Sequence, residues 1–299
     1  MECEVCNLPA VVSTNNGTLC GEHFKERFES ITLETIKKYK LIKRGETVAV
    51  ANSGGKDSLS LLYIISKYFR KSNKIISITI DEGIKGYRDK TMEIMKEYCK
   101  RYGVDYKIYS YKDFTGKTMD DITGVRKGIP CSACGVLRRY LINYAASEVK
   151  ADKVATAHNM DDEAENVVMN LVQNDLEKMI RLGAYSGIVK DGGFVPRIKP
   201  FLFLSEKETM LFSILNGINA IHTPCPYAGF GFRGLISRKI KQFETEFKGS
   251  KRNIIESMLK IKENADTKKG IKINRCIHCG FPSINEVCEA CKLRMELQN

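Results

Sequence analysis

Short apolar runs rich in β-branched residues alternate with longer amphipathic stretches over most of the chain. Residues 24–43 carry Phe24, Phe28, Ile31, Ile36 and Tyr39 as an apolar stripe at helical spacing, and Gly45 stops the pattern. The run 47–52, Thr-Val-Ala-Val-Ala-Asn, is short and almost uniformly apolar, which predicts a strand buried on both faces. A turn at 53–58 leads into a helix over 58–70. Further strands are predicted at 75–81, 104–110 and 153–157, and further helices at 87–102, 134–149 and 160–174. Strands alternating with helices imply βαβ units with right-handed crossovers. The fold class expected is therefore α/β, with a Rossmann-like parallel sheet. Ligands of such sheets sit beyond the C-terminal strand ends, where the 53–58 turn lies.

The alternation weakens after residue 174. Residues 183–193 read as loop, and 195–203 carries two prolines before a helix predicted at 205–216. Pro224, Cys225 and Pro226 form a rigid turn. Residues 233–264 read as basic helices bearing Arg233, Arg238, Lys239, Lys241, Lys248, Lys251 and Arg252. A polar linker at 266–270 precedes a terminal cysteine knuckle. A second knuckle occupies residues 1–23, with Asn15, Asn16 and Gly17 turning between its halves.

Composition bounds the function. With 43% hydrophobic residues the chain can bury a core without staples. No apolar run reaches the length of a membrane span, and the polar N-terminus shows no signal-peptide pattern, so a cytoplasmic protein is expected. In a reducing compartment, C-x-x-C pairs point to metal or redox work. Lys and Arg number 48 against 36 Asp and Glu, a net charge of +12. That excess suits a polyanionic partner, although a generally basic proteome would produce it too.

The eleven cysteines fall into three sets and one remainder, Cys99. Cys3, Cys6, Cys20 and His23 form the first set, and Cys276, Cys279, Cys288 and Cys291 the last. Thirteen residues separate the halves of the first and eight those of the last. Four ligands with Gly, Pro or Asn between them predict one tetrahedral zinc each; redox-active pairs are the alternative. Cys131, Cys134 and Cys225 are one ligand short of a closed four-cysteine shell. C-x-x-C alone permits a redox disulfide, a zinc half-site or an iron–sulfur half-site.

Between a predicted strand and a predicted helix lies Ser53-Gly54-Gly55-Lys56-Asp57-Ser58. Glycines allow close backbone approach to a phosphate, helix N-terminal amides point at the anion, and Lys56 adds charge. It is not a Walker A loop, because Val50 and Asp57 stand where that motif needs Gly and Ser or Thr. The hexapeptide resembles the signature of the PP-loop ATP pyrophosphatases, S-G-G-x-D-S. Ala157-His158-Asn159-Met160-Asp161-Asp162 resembles that family's second motif, G-H-x-x-D-D, with Ala157 in place of Gly. The resemblance implies a sheet of the PP-loop (HUP) type. It implies that Ala51, Ser53, Gly54, Gly55, Lys56, Asp57, Ser58, Ile80, Ala157 and Asp162 form an ATP site. A carboxylate in the second motif would hold Mg2+ or act as a base; Asp162 is favoured over Asp161. Acidic residues here equally suit a helix N-terminus, and His158 is expected to be structural.

Added to this loop, Cys131-x-x-Cys134-Gly135-x-x-Arg138-Arg139 and the later Cys225 resemble the TtcA and TtuA group of tRNA 2-thiolation enzymes. The two zinc knuckles match the TtuA and cytoplasmic wobble-uridine thiolase branch. The resemblance implies that Cys131, Cys134 and Cys225 hold a 4Fe-4S cluster whose fourth iron takes exogenous sulfide; a persulfide on the two paired cysteines is the other reading. Lys56, Asp162, Arg138, Cys131, Cys134 and Cys225 are then the expected catalytic residues. The uridine C2 oxygen would be adenylated, sulfur would attack C2, and AMP would leave. Gly135–Arg139 favours the anticodon wobble uridine, whereas Tyr140 and the segment 225–228 resemble the enzymes acting on the T-loop. The resemblance further implies tRNA as substrate, sulfur from a ubiquitin-like thiocarboxylate carrier or another donor, and a homodimer. It divides the chain into an N-terminal zinc module (1–28), a catalytic domain (29–265) and a C-terminal zinc module (266–299). Two rivals are a PP-loop ligase or amidating enzyme with structural metals, and a non-catalytic zinc-dependent RNA-binding protein.

Overall fold

A computed structural model describes residues 1–14, 17–126, 128, 130–186, 193–221, 223–228, 231–265 and 273–298. The expected linker at 266–270, Asn15, Asn16 and most of the loop expected at 183–193 lie outside the described residues. A small hairpin, β1 (Val12–Thr14) and β2 (Gly17–Leu19), feeds helix α1 (Gly21–Lys38). Strand β3 (Thr47–Ala51), helix α2 (Lys56–Phe69), strand β4 (Lys74–Asp81), helix α3 (Arg88–Tyr102) and strand β5 (Asp105–Ser110) follow. Two short helices, α4 (Tyr111–Thr115) and α5 (Met119–Val125), lead to the long α6 (Pro130–Glu148) and strand β6 (Lys153–Ala155). Next come α7 (Met160–Val172), α8 (Leu176–Met179), β7 (Tyr185–Ser186), β8 (Arg197–Ile198) and α9 (Glu206–Leu215). The chain ends with α10 (Phe232–Glu246), α11 (Ser250–Asn264), the hairpin β9 (Asn274–Arg275) and β10 (Pro282–Ser283), and α12 (Glu289–Gln298).

Six strands form one sheet in the order β5-β4-β3-β6-β8-β7, parallel except for β7. Residues of β3 alternate between two apolar layers, as strand geometry demands. Val48 and Val50 join the core containing Leu59, Leu62 and Met95 of α2 and α3. Ala49, with Ile76 and Ile78 of β4, packs on Ala145 and Ala146 of α6. Burial on both faces explains why β3 and β4 read as continuous apolar runs. The edge strand β5 instead exposes Asp105, Tyr106 and Lys107, and the charges of Asp105 and Lys107 discourage edge-to-edge pairing. Strand order reverses beside β3, with β4 on one side and β6 on the other. The crevice beyond the C-terminal ends of β3 and β6 is therefore where such a sheet takes its ligand.

Several boundaries differ from expectation. Helix α6 starts at Pro130, ahead of the predicted 134, because proline suits a first helical turn; Cys131 and Cys134 thus lie on one helix start. Strands β7 and β8 have two residues each, too short for a periodic signal. The basic stretch breaks at Phe247–Gly249, where Gly249 adopts φ +90°. Helix α1 runs unbroken across position 28, where a module boundary was expected. Phe28 of α1 stacks on Phe212 of α9 at 4.2 Å and meets Phe201 edge-on at 5.3 Å, so the N-terminal knuckle shares the main core. No described helix is long and apolar enough to cross a membrane.

Candidate functional site

Strand β3 ends at Ala51, and the chain turns through Asn52–Gly55 into α2, whose first residue is Lys56. Asn52 is the organiser. Its Oδ1 accepts from the Gly54 amide at 2.9 Å and from Ser58 Oγ at 3.0 Å. Ser58 Oγ also accepts from the Ser53 amide at 3.1 Å. Gly54 has φ +76°, and a Cβ there would lie 2.1 Å from the Thr91 carbonyl oxygen, so the backbone of α3 admits only glycine. Lys56 Nζ pairs with Asp57 at 2.8 Å and approaches Glu206 of α9 at 3.7 Å. Burial opposes the Lys56 charge, but Asp57, Glu206 and Asp162 outweigh it and hold the ammonium above its ordinary pKa. Burial raises the Asp57 pKa against the pull of Lys56. Asn52 Nδ2 and Asp57 Oδ1 are buried with no hydrogen-bond partner among the described residues. The orphaned Asn52 Nδ2 donor, a glycine-only turn and a helix N-terminus fit an anionic ligand, whereas the orphaned Asp57 oxygen is an acceptor and fits a proton or cation beside it.

Across the crevice, Asn159 caps α7 in a capping box with Asp162. Asp162 is half-exposed, with burial raising its pKa while the Asn159 amide and Arg233 lower it. Asp161 is committed elsewhere: it meets Lys251 at 2.5 Å and accepts from the Glu206 amide. Glu163 makes a buried pair with Lys199 at 2.6 Å. Of the three acidic residues, Asp162 is therefore the one that faces Lys56 without a buried ion pair. His158 shares a hydrogen bond with Thr156 Oγ1 at 3.0 Å; crowding by protein and the Lys199 charge push its pKa down to about 4. Ala157 lies between β6 and this cap, partly buried against the main core. Asp81 accepts from the Gly83 amide and caps its own loop.

The first turn of α6 carries the paired cysteines. Cys131 is exposed, and its Sγ donates to the Tyr227 carbonyl at 3.2 Å. Cys134 and Cys225 both pack, half-buried, on a cluster formed by Ile80, Ile84, Tyr111, Ala133 and Leu137. The turn bearing Cys225 is tied down by Tyr227, whose hydroxyl donates to Asp120 at 2.7 Å. The structure thus brings the distant Cys225 turn against the C-x-x-C turn and beside Ile80. Burial raises the Cys134 pKa, opposed by Arg138 and Tyr111. Tyr111 OH and Arg138 Nη2 reach the Cys134 sulfur at 3.3 and 3.2 Å. Arg138 is in turn held by Glu82 at 3.0 Å.

Two other groups have every ligand atom within 4.8 Å of one another: Cys3, Cys6, Cys20 and His23, and Cys276, Cys279, Cys288 and Cys291. Backbone amides of Cys288 and Cys291 donate to the sulfurs of Cys276 and Cys288 at 3.4 Å. For both Cys3 and Cys276, burial opposes ionisation but backbone amides outweigh it and bring the thiol to about 6. Both sets fit a metal ion. The three sulfurs of Cys131, Cys134 and Cys225 do not meet that spacing among the described residues. A multi-iron cluster needs a wider frame than a single ion.

The basic helices are partly spent on internal pairs. Lys251 is buried on Asp161, Arg233 pairs with Glu165 and Arg252 with Glu256, and Lys241 lies 3.6 Å from Glu206. Arg238, Lys239 and Lys248 make no ion pair among the described residues. Sequence reasoning passed over Asn52, Glu82, Arg88, Tyr111 and Glu206. Asn52 carried a signal, since Asn before a Gly-rich turn favours such a bond; the other four meet the site only through tertiary packing.

Comparison with known proteins agrees with this geometry. The PP-loop domain profile matches residues 23–212. A probable sulfurtransferase of Methanocaldococcus jannaschii is 35% identical, with 95% of this chain and 84% of that protein covered. The cytoplasmic tRNA 2-thiolation protein 1 of Arabidopsis thaliana is 36% identical over 97% of this chain and 83% of its own length. The U34-tRNA thiolase NcsA from Methanococcus maripaludis, solved with its 4Fe-4S cluster, superposes with a TM-score of 0.85 at 32% identity, covering 99% of this chain and 96% of that one. With the phosphate loop, the cysteine turn and both ligand knuckles in the positions described, the chain belongs to the PP-loop family, among the tRNA 2-thiolation enzymes.

Proposed function

We propose that this enzyme converts the anticodon wobble uridine of tRNA to 2-thiouridine at the expense of ATP. The observation that carries the reading is the presence of two sites at the C-terminal edge of the sheet. A phosphate loop lies at the end of β3, and a three-cysteine site is built around the first turn of α6 beside the end of β4. In this reading Lys56 and the amides of Gly54 and Gly55 take the ATP phosphates, and Asp162 faces them as the carboxylate for Mg2+. Ala51, Ser53, Asp57, Ser58, Ile80 and Ala157 shape the nucleotide site. The C2 oxygen of the uridine attacks the α-phosphate, pyrophosphate leaves, and the adenylated oxygen becomes a good leaving group. Arg138 steadies negative charge at the sulfur site. Cys131, Cys134 and Cys225 fit a 4Fe-4S cluster, which when bound supplies an iron free of protein ligands at which sulfide is presented.

The two four-ligand knuckles take zinc and scaffold the tRNA surface, to which Arg238, Lys239 and Lys248 contribute. The same chemistry on the T-loop uridine is the second reading; the similarity to a U34-tRNA thiolase over nearly the whole chain favours the wobble position. We further propose a homodimer in the cytoplasm, supplied with sulfur by a ubiquitin-like thiocarboxylate carrier or another donor. The test is Cys225→Ala. Thiolation should be abolished while tRNA binding by the anaerobically purified variant stays at the wild-type level. Full activity in that variant would remove the cluster reading.

A further inference from the structure

A line of charges joins the nucleotide loop to the cysteine turn. Glu82, just beyond β4, is 5% exposed. Its Oε2 lies 2.6 Å from Arg88 Nε, and its Oε1 lies 3.0 Å from the Arg138 guanidinium. Arg88 is itself 3% exposed; it donates to the Ser53 carbonyl of the phosphate loop, to Thr91 Oγ1 and to the Ile80 carbonyl. Arg138 continues the line to the Cys134 sulfur at 3.2 Å. The backbone of Glu82 is pinned as well, its carbonyl accepting from the Met119 amide at 2.7 Å.

A buried carboxylate shared by two guanidiniums is a poor device for stability, because desolvation offsets most of the attraction. Arg88 already has three oxygen acceptors without it. Arg138 does not: its side chain is 48% exposed, and a free arginine there would sample many rotamers. Glu82 is the carboxylate that, beside the Tyr111 hydroxyl, fixes which way Arg138 points.

We propose that Glu82 is a positioning residue for thiolation. It holds Arg138 on the Cys134 sulfur and ties that contact, through Arg88, to the Ser53 carbonyl, so the nucleotide loop and the sulfur site keep one register. This rests on the function proposed above. No spacing rule connects residues 53, 82, 88, 134 and 138, so the assignment comes from the packing alone.

The test uses the full-length holoprotein with Glu82→Asp. This variant keeps the charge beside buried Arg88 but is one methylene too short to span both guanidiniums. The expected result is wild-type melting and tRNA affinity, an unchanged KM for tRNA, and a kcat lowered roughly tenfold to a hundredfold. The electron paramagnetic resonance signal of the reduced cluster should shift as Arg138 leaves Cys134. In an Arg138→Gln background, Glu82→Asp should cause no further loss, because both act through one contact. Wild-type kcat and spectrum in Glu82→Asp, or losses that multiply in the double variant, would overturn the proposal. Should Glu82→Asp melt early, its kcat and spectrum are read at a temperature below its melting transition, under the same criteria. A wild-type enzyme that fails to thiolate would count against the proposed function, and the spectral shift would still decide the role of Glu82.

Discussion

At Gly54 the room for a methyl group separates a working loop from a blocked one. Its φ of +76° costs any other residue about 1–2 kcal/mol, and the added Cβ would also strike the Thr91 carbonyl. Gly54→Ala should therefore lower ATP affinity at least about tenfold by calorimetry, a loss of about 1.4 kcal/mol; wild-type affinity would show that the loop does not hold the phosphates. That Lys56, Asp57 and Ser58 share one strand-to-helix turn was legible because their motif is contiguous. Asp162 was favoured over Asp161 from the sequence, and the packing is consistent with that choice, since Asp161 is occupied by Lys251 and the Glu206 amide. Glu82 and Arg88 were not legible. They matter through contacts between β4, α3 and α6 that no local pattern encodes.

Among elements, α12 is the one whose role the sequence understated. It carries the last residue of the cysteine set, Cys291, and no expectation from the sequence covered the rest of it. In the fold, Leu293 and Leu297 are buried in the same cluster as Ile80, Ala133 and Leu137, behind Cys134 and Cys225. The C-terminal metal set therefore braces the wall of the cysteine site. Replacing Cys276 and Cys279 by Ser should free α12 and lower iron content along with zinc in elemental analysis. Full iron loading without this set would show the wall to be self-supporting. The alternation of β3 through β6 with their helices was readable because buried parallel strands are uniformly apolar. The short paired strands β8 and β7, the latter at the sheet edge, escaped notice because two residues carry no period.

For the whole molecule, the net charge of +12 suits RNA but does not say which basic residues are free to meet it. Lys251, Arg233, Arg252 and Lys241 each have a carboxylate partner, whereas Arg238, Lys239 and Lys260 on these helices, and Lys248 between them, make no ion pair among the described residues. Replacing Arg238 and Lys239 by Ala should weaken tRNA binding and reduce the slope of log affinity against log salt by about one per residue. Arg252→Ala should change that slope less; equal effects would mean that the internal pairs open on binding. The most direct test of the central claim is position-resolved mass analysis of tRNA from cells with and without this protein. The account predicts that 2-thiouridine disappears from the anticodon wobble position in its absence while the T-loop uridine is unaltered. Unchanged wobble thiolation would contradict it.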